Sequence, residues 1–332
     1  MALEILAAGP LATVQDMGRE GMGSLGYRRC GAADKYAMRL ANILAGNMKA
    51  GTDVPERAAA IEFTLSGGRI RFTKAGRIAL AGADMSPKLD GEDIPMYASV
   101  QVRAGQILEL GFAARGLRMY LAVGGGINTK PVLGSRSTDC ACALGGADGR
   151  ALRAGDILET GKFTEQVGAF ALGEDYFWLK RPSHPYRSVG EQLLPVLRVV
   201  AGPQEEAFTE EAKENLRRGV YQVTSDSNRM ACRLKGPALA AKGGSDILSD
   251  GIVEGSIQVA ANGLPMVMLA DHQTTGGYAK IGTVISTDIP AIAQRKPGEC
   301  IGFTYITPKE AGEAYRKEVR KLEWLKQEMI TH

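Results

Sequence analysis

The decapeptide Val102-Arg103-Ala104-Gly105-Gln106-Ile107-Leu108-Glu109-Leu110-Gly111 recurs as Leu152-Arg153-Ala154-Gly155-Asp156-Ile157-Leu158-Glu159-Thr160-Gly161. A looser third copy reads Arg295-Lys296-Pro297-Gly298-Glu299-Cys300-Ile301-Gly302-Phe303. Each copy is a turn that feeds an apolar strand. Its glycine supplies a positive φ that other residues resist, and such turns reverse the chain in antiparallel sheets. Two close copies do not make a repeat array. They do constrain the fold class. With 42 glycines and few long helical patterns, the chain reads as mainly β, many short strands joined by tight turns, as in barrels and sandwiches. At 332 residues it exceeds the roughly 250–300 at which one core stops growing, so two domains are expected.

Strand candidates are short. Leu117-Arg118-Met119-Tyr120-Leu121-Ala122-Val123 places Leu117, Met119, Leu121 and Val123 on one face. Residues 196–200, 257–259, 265–270 and 283–285 are others. Two helices stand out. Ala37, Leu40, Ala41 and Leu44 follow helical spacing, with Gly46 placed to end the helix. Residues 307–329 form a C-terminal helix, with Thr307 as N-cap, Pro308 at N1 and Glu310 completing a capping box. Its expected apolar stripe is Ala311, Tyr315, Leu322, Leu325 and Met329. Two prolines make Arg181-Pro182-Ser183-His184-Pro185-Tyr186 a linker. The expected domains are therefore 1–190 and 191–332.

A formal charge of +3 gives no argument for nucleic acid or a membrane surface. Cys30, Cys140, Cys142, Cys232 and Cys300 are odd in number and lack framework spacing, which fits a reducing compartment. Most of them read as small buried hydrophobes. With His184, His272 and His332 as the only histidines, no metal site is expected. The N-terminus lacks the basic and apolar regions of a signal peptide, and no run reaches the length of a membrane span, so the expected location is cytoplasmic.

Gly21-Met22-Gly23-Ser24-Leu25-Gly26 matches G-x-G-x-x-G, but a polar segment precedes it and no suitable acid follows, so it is rejected as a dinucleotide site. Asn47-Met48-Lys49-Ala50 is read as a helix exit rather than a biotinyl-lysine loop. Four polar clusters remain. They are Thr13-Val14-Gln15-Asp16-Met17-Gly18-Arg19, Gly134-Ser135-Arg136-Ser137-Thr138-Asp139, Ser225-Asp226-Ser227-Asn228-Arg229-Met230 and Asp271-His272-Gln273-Thr274-Thr275-Gly276-Gly277-Tyr278. The last leaves the apolar run Pro265–Ala270 and is expected to be a glycine-permitted turn whose backbone N–H groups converge on an anion. No Ser-His-Asp triad is compelling, since His272 has no elbow serine.

Taken in order, these clusters resemble the KipA-type family, also called allophanate hydrolase subunit 2 or the 5-oxoprolinase C-type subunit. Gly-Ala-Ala-Asp at 31–34, Ala-Asn at 41–42, Gly-Asn at 46–47 and Gly-Ala-Asp-Gly-Arg at 146–150 continue the match. The same module resembles part of the carboxyltransferase region of urea carboxylase. The resemblance implies a cyclophilin-like β-barrel architecture in two barrel-like domains. It implies a KipI-like subunit and a third 5-oxoprolinase subunit as partners, and ATP with Mg as cofactors for opening 5-oxoproline to glutamate. Cys30 stands where the family usually has Ser, Asn228 where Asp is frequent, and Ala231 where Gly is usual.

On that reading Asp271, Asp16 and His272 are the candidates for proton handling and for orienting water. Gln15 and Gln273 would fix the substrate amide. Arg19, Arg136 and Arg229, with Ser135, Ser137, Thr138, Asn228, Thr274, Thr275, Gly276 and Gly277, would bind substrate or an anionic group. Local ion pairs, Arg136 with Asp139 and Asp16 with Arg19, are the plain structural alternative. Two other functions stay open: biotin-dependent carboxyl transfer to a urea-like substrate, and non-catalytic capture of a KipI-like kinase inhibitor.

Overall fold

The structure is a computed structural model that describes residues 1–47, 58–163, 170–176, 179–180, 183–190 and 192–331. Met48-Lys49-Ala50 and Arg181-Pro182 lie outside the described residues. The chain forms two compact units. Unit 1 comprises Met1–Glu20, Cys30–Arg181 and Arg320–His332, and unit 2 comprises Gly21–Arg29 and Pro182–Val319. The described helices are α1 (Lys35–Leu44), α2 (Glu210–Arg218), α3 (Ile289–Ala293) and α4 (Pro308–Thr331). Apart from short 3-10 turns, everything else regular among the described residues is strand, so the mainly-β expectation holds.

Unit 1 packs two sheets around one core. The first orders its strands Ile157–Glu159, Ala2–Ala7, Arg69–Phe72, Ile107–Glu109, Lys88–Leu89 and Glu92–Asp93. The second orders them Leu11–Gln15, Ala60–Thr64, Arg115–Val123, Gly76–Asp84 and Val100–Val102. Alternation decides which side chains go where. Met119, Leu121 and Val123 join Leu3, Ile5, Ile70, Phe72 and Leu108 between the sheets. Tyr120 and Ala122 point the other way, with Ala60, Ala79 and Ala81, under α1 and the end of α4. Those small residues let Met38, Leu40, Leu44, Leu322, Leu325 and Met329 approach the sheet closely.

The three turn copies fold alike. Gly105, Gly155 and Gly298 all have φ near +90°. In each, the residue after the glycine donates its N–H to the carbonyl three residues back: Gln106 to Arg103, Asp156 to Arg153, Glu299 to Lys296. The side chain of that same residue accepts the returning N–H of Arg103, Arg153 or Lys296 at 2.8–2.9 Å. A polar residue after the glycine thus closes each turn twice.

Unit 2 contains a closed seven-stranded barrel. Around it run Gln192–Ala201, Lys280–Val284, Ser256–Val259, Pro265–Met268, Ala231–Lys235, Tyr221–Val223 and Cys300–Tyr305. Closure is by a parallel joint, Val196 to Val199 against Gly302 to Tyr305, and it removes the open edges of the sheet. Leu197, Val199, Ile257, Val267, Ile281, Ile301 and Phe303 fill the interior. A two-stranded ribbon, Asp246–Gly251 with Thr275–Tyr278, accompanies the barrel.

The helix stop at Gly46 and the Thr307 capping box read from sequence are present, and α1 has in addition an N-cap that the sequence reading did not name. Asp34 accepts from Ala37 N at the start of α1, and Gly46 follows that helix with φ +81°. Thr307 N donates to Glu310 Oε2 at 2.7 Å and Glu310 N to Thr307 Oγ1 at 3.3 Å. The α4 stripe needs one correction: Tyr315 is exposed, and Ala314 is buried instead, because the inward stripe of the first turns is offset by one residue. The linker reading also changes. His184 is buried against Tyr186 with ring centroids 4.7 Å apart, and Tyr186 begins a strand paired to Gln192–Ala201. Cys30 and Cys232 are buried as expected, but Cys140 and Cys142 are exposed, since they sit at the tip of the loop between Asp139 and Leu144. Among the described residues no helix is long and apolar enough to cross a membrane.

Candidate functional site

The four clusters come together as two pairs, one within each unit. In unit 1 the strand Leu11–Gln15 runs out into Asp16-Met17-Gly18-Arg19, and the segment from Ser135 to Asp139 folds against it. Thr138 donates both its N–H and its hydroxyl to Val14 O, which aligns the two segments. Asp16 then locks them. Its Oδ1 accepts from Ser135 Oγ (2.6 Å), Ser137 Oγ (2.5 Å) and Gly18 N (2.8 Å), and its Oδ2 from Arg136 N (2.6 Å). Four donors on one buried carboxylate make it a clamp between loops. The expected Asp16–Arg19 pair does not form, because these donors take the carboxylate first. Arg136 does not pair with Asp139 either; its guanidinium donates to Asn128 Oδ1 at 3.1 Å.

Arg19 is 2 % exposed, and its Nη2 donates to Ser137 O at 2.5 Å. Its Nε and Nη1 meet no acceptor among the described residues. Gln15 is fully buried and donates through Nε2 to Thr13 Oγ1 and Thr138 O, while its Oε1 meets no donor among them. The backbone around this pair is unusual. Cys30, Leu133, Ala143 and Asp148 all adopt positive φ without being glycine. At Gly145 a Cβ would lie 2.3 Å from Ser137 O and 2.4 Å from Arg19 Nη2. At Gly31 it would lie 2.8 Å from Gly18 N. These glycines allow three loops to close over the site.

Sequence reasoning missed what lies beneath. Glu62 accepts from Ala33 N and from the Tyr120 hydroxyl at 2.7 Å, and its other oxygen lies 3.7 Å from Arg118 Nε. Tyr120 in turn accepts from Asp34 N. Burial, reinforced by the charge of Glu62, pushes the Tyr120 hydroxyl well above its usual range, so it stays a donor. This network holds the segment whose Ala32 N bonds Asp16 O. The signal was available: Glu62 interrupts the apolar Ala-Ile-Glu-Phe strand with an acid.

In unit 2 Arg229 and Asp271 form a two-point ion pair, Nε to Oδ2 and Nη2 to Oδ1, both 2.9 Å. The guanidinium expected to clamp a ligand thus spends two donors on the carboxylate expected to orient water. Asn228 closes a turn, its Oδ1 accepting from Met230 N and Ala231 N. An aspartate could accept the same bonds, so the exchange at this position preserves the turn. His272 is buried, with Nδ1 2.7 Å from Gln273 O.

The segment from Thr274 to Tyr278 differs from expectation. Thr275–Tyr278 is a strand, paired with the ribbon strand Asp246–Gly251, and neither Gly276 nor Gly277 has positive φ. In a strand successive N–H groups point to opposite edges, so they do not converge on one anion. Gly276 is required for packing: a Cβ there would meet Ile252 and Gln258 at 2.6 and 2.8 Å. Lys280, 2 % exposed, ties barrel to ribbon through Asp250 Oδ2 at 2.7 Å. That hydrogen bond holds the Asp250 carboxyl below its ordinary range. A separate crevice of about 350 Å³, lined by Leu193, Leu194, Pro195, Arg295, Gly298, Glu299 and Cys300, contains none of the candidate residues.

Residues 25–305 match the family model of the carboxyltransferase domain, subdomain A and B. The chain belongs to that family. Over 97 % of both chains it is 37 % identical to the 5-oxoprolinase C-type subunit of Escherichia coli K12. It is 36 % identical to the protein of the same name from Haemophilus influenzae, over 95 % of this chain and 94 % of that one. The crystal structure of Kluyveromyces lactis urea amidolyase superposes with a TM-score of 0.82 at 28 % identity, covering 98 % of this chain and 20 % of that one. The chain thus spans nearly the full length of the two bacterial relatives and about a fifth of the fungal enzyme.

Proposed function

We propose that this chain is the C-type subunit of a cytoplasmic ATP-dependent 5-oxoprolinase, which opens 5-oxoproline to glutamate together with a KipI-like subunit and a third subunit. The observation that carries the reading is the near end-to-end 37 % identity with the Escherichia coli protein, joined to a unit 1 site suited to a small polar ligand. Hydrolysing a five-membered lactam is hard, and acid–base help of about 10²–10⁴-fold changes only its rate. Coupling to ATP also moves the equilibrium. Among the described residues no group of three His, Cys, Asp or Glu side chains is placed to hold a metal ion. Magnesium carried by nucleotide phosphates needs only one or two protein carboxylates, so ATP is assigned to the complex rather than to one subunit. This chain's contribution is to bind and orient the lactam in a water-poor pocket, with Asp16 fixing the loops and Gln15, Arg19, Ser135 and Ser137 facing the ligand.

Coexpression with the KipI-like and third subunits, followed by measurement of glutamate and ADP, tests the proposal. Turnover that needs all three chains supports it; a purified three-chain complex without 5-oxoproline-dependent ADP release ends it. The family match and the likeness to urea amidolyase favour a second reading, carboxyl transfer from biotin to a urea-like substrate. Avidin-sensitive incorporation of labelled bicarbonate into a urea-like product would select that reading.

A further inference from the structure

The Arg19 guanidinium poses an electrostatic problem that the described residues do not solve. It is 2 % exposed, bonds one backbone carbonyl, and leaves Nε and Nη1 without an acceptor among them. The adjacent carboxylate, Asp16, is already saturated by four donors. A buried cation without an anion is costly, and it persists where a ligand supplies the counter-charge. Four residues away Gln15 presents the opposite deficiency, a fully buried carbonyl oxygen without a donor. Its orientation is fixed, because Nε2 is the end that faces Thr138 O. The two side chains anchor on consecutive carbonyls, Ser137 O for Arg19 and Thr138 O for Gln15. A ligand carrying both an oxyanion and an N–H would satisfy the two deficits.

We propose that unit 1 is a receptor for a small carboxylated amide, in which Arg19 neutralises the ligand carboxylate and Gln15 Oε1 accepts the amide N–H. This inference rests on the 5-oxoprolinase reading and sharpens it: the substrate's charge is recognised by this chain, whichever subunit handles phosphate. It also favours a carboxylate joined to an N–H over a phosphoryl group, since Gln15 Oε1 needs a donor that an ionised phosphoryl group lacks.

The test uses thermal unfolding of the full chain and the KM for 5-oxoproline in the three-subunit complex. Four probes separate the groups: 5-oxoproline, 2-pyrrolidinone (no carboxylate), the corresponding lactone acid (no N–H) and inorganic phosphate. The wild-type chain is expected to be stabilised by 5-oxoproline, with the lactone acid binding roughly 10-fold more weakly and 2-pyrrolidinone roughly 10–100-fold more weakly. Arg19→Met is expected to melt above wild type without ligand, because it removes the uncompensated charge, and to lose the 5-oxoproline shift. Arg19→Lys keeps the charge without the planar fork and should retain a weakened shift. An Arg19→Met chain that melts lower or fails to fold, keeps its 5-oxoproline shift, or leaves KM unchanged overturns the inference while turnover by the wild-type complex leaves the oxoprolinase reading standing. Absence of any shift for the wild-type chain, or an equal shift with phosphate, also overturns it.

Discussion

Replacing Asp16 with Asn separates a clamp from a chemical participant. The carboxylate accepts three hydrogen bonds on Oδ1 and one on Oδ2, at 2.5–2.8 Å. An asparagine in its better orientation keeps the three. It then turns its NH₂ group toward Arg136 N, donor against donor. A bond to a charged group contributes about 1.5–3 kcal/mol and a neutral one about 0.5–1.5 kcal/mol. Losing the Arg136 bond and weakening the other three by about 1 kcal/mol each therefore costs about 4.5–6 kcal/mol. For a domain of this size each kcal/mol lowers the melting temperature by about 2–4 °C, so Asp16→Asn should melt roughly 9–24 °C below wild type. Circular dichroism on the purified chain reads the shift directly. A variant that melts within about 2 °C of wild type, yet gives a complex without turnover, would refute the clamp and return Asp16 to the chemistry.

Gly145→Ala should cost more than Gly105→Ala. Both sites have positive φ, worth about 1–2 kcal/mol to an L side chain, but only Gly145 would also drive a Cβ into Ser137 O, whereas Gly105 faces open space. Paired urea titrations check the order. Arg229→Met should destabilise the chain by about 2–4 kcal/mol by stranding Asp271, and adding Asp271→Leu should recover part of that loss in the same assay. The Asp156 carboxyl, held below its ordinary range mainly by its bond to Arg150, should titrate below a free aspartate by NMR and return upward in Arg150→Met. Because the folded value is depressed, this contribution to stability is present above the unfolded value and is lost as pH falls through the folded one.

What the sequence disclosed was local. The turn repeats, the Gly46 stop, the Thr307 cap and the alternating face of residues 119–123 depend on neighbours a few positions away, and the structure keeps them. The polar clusters were legible as clusters, but their partners were not. Asp16 meets Ser135 and Ser137 across 119 and 121 residues. The Gly276-Gly277 pair looks like a turn until Asp246–Gly251 supplies the ladder that makes it a strand. Helix α2 escaped notice because Glu-Glu-Ala-Lys-Glu-Asn-Leu-Arg-Arg buries only Ala212 and Leu216 and reads as a solvated charge run. Charge deficits, such as that of Arg19, become visible only once every nearby acid has been given its partners.

The return of Arg320–His332 to unit 1 sets a timetable for biosynthesis. Leu322, Leu325 and Met329 seal the helical layer over Ala79, Ala81 and Ala122, yet the ribosome delivers them only after the whole barrel of unit 2. At about 5–20 residues per second, translating Pro182–Val319 takes roughly 7–28 s, during which nascent unit 1 lacks that seal. The window is a natural point of entry for chaperones, and a nonsense codon near residue 320 would leave it permanently open.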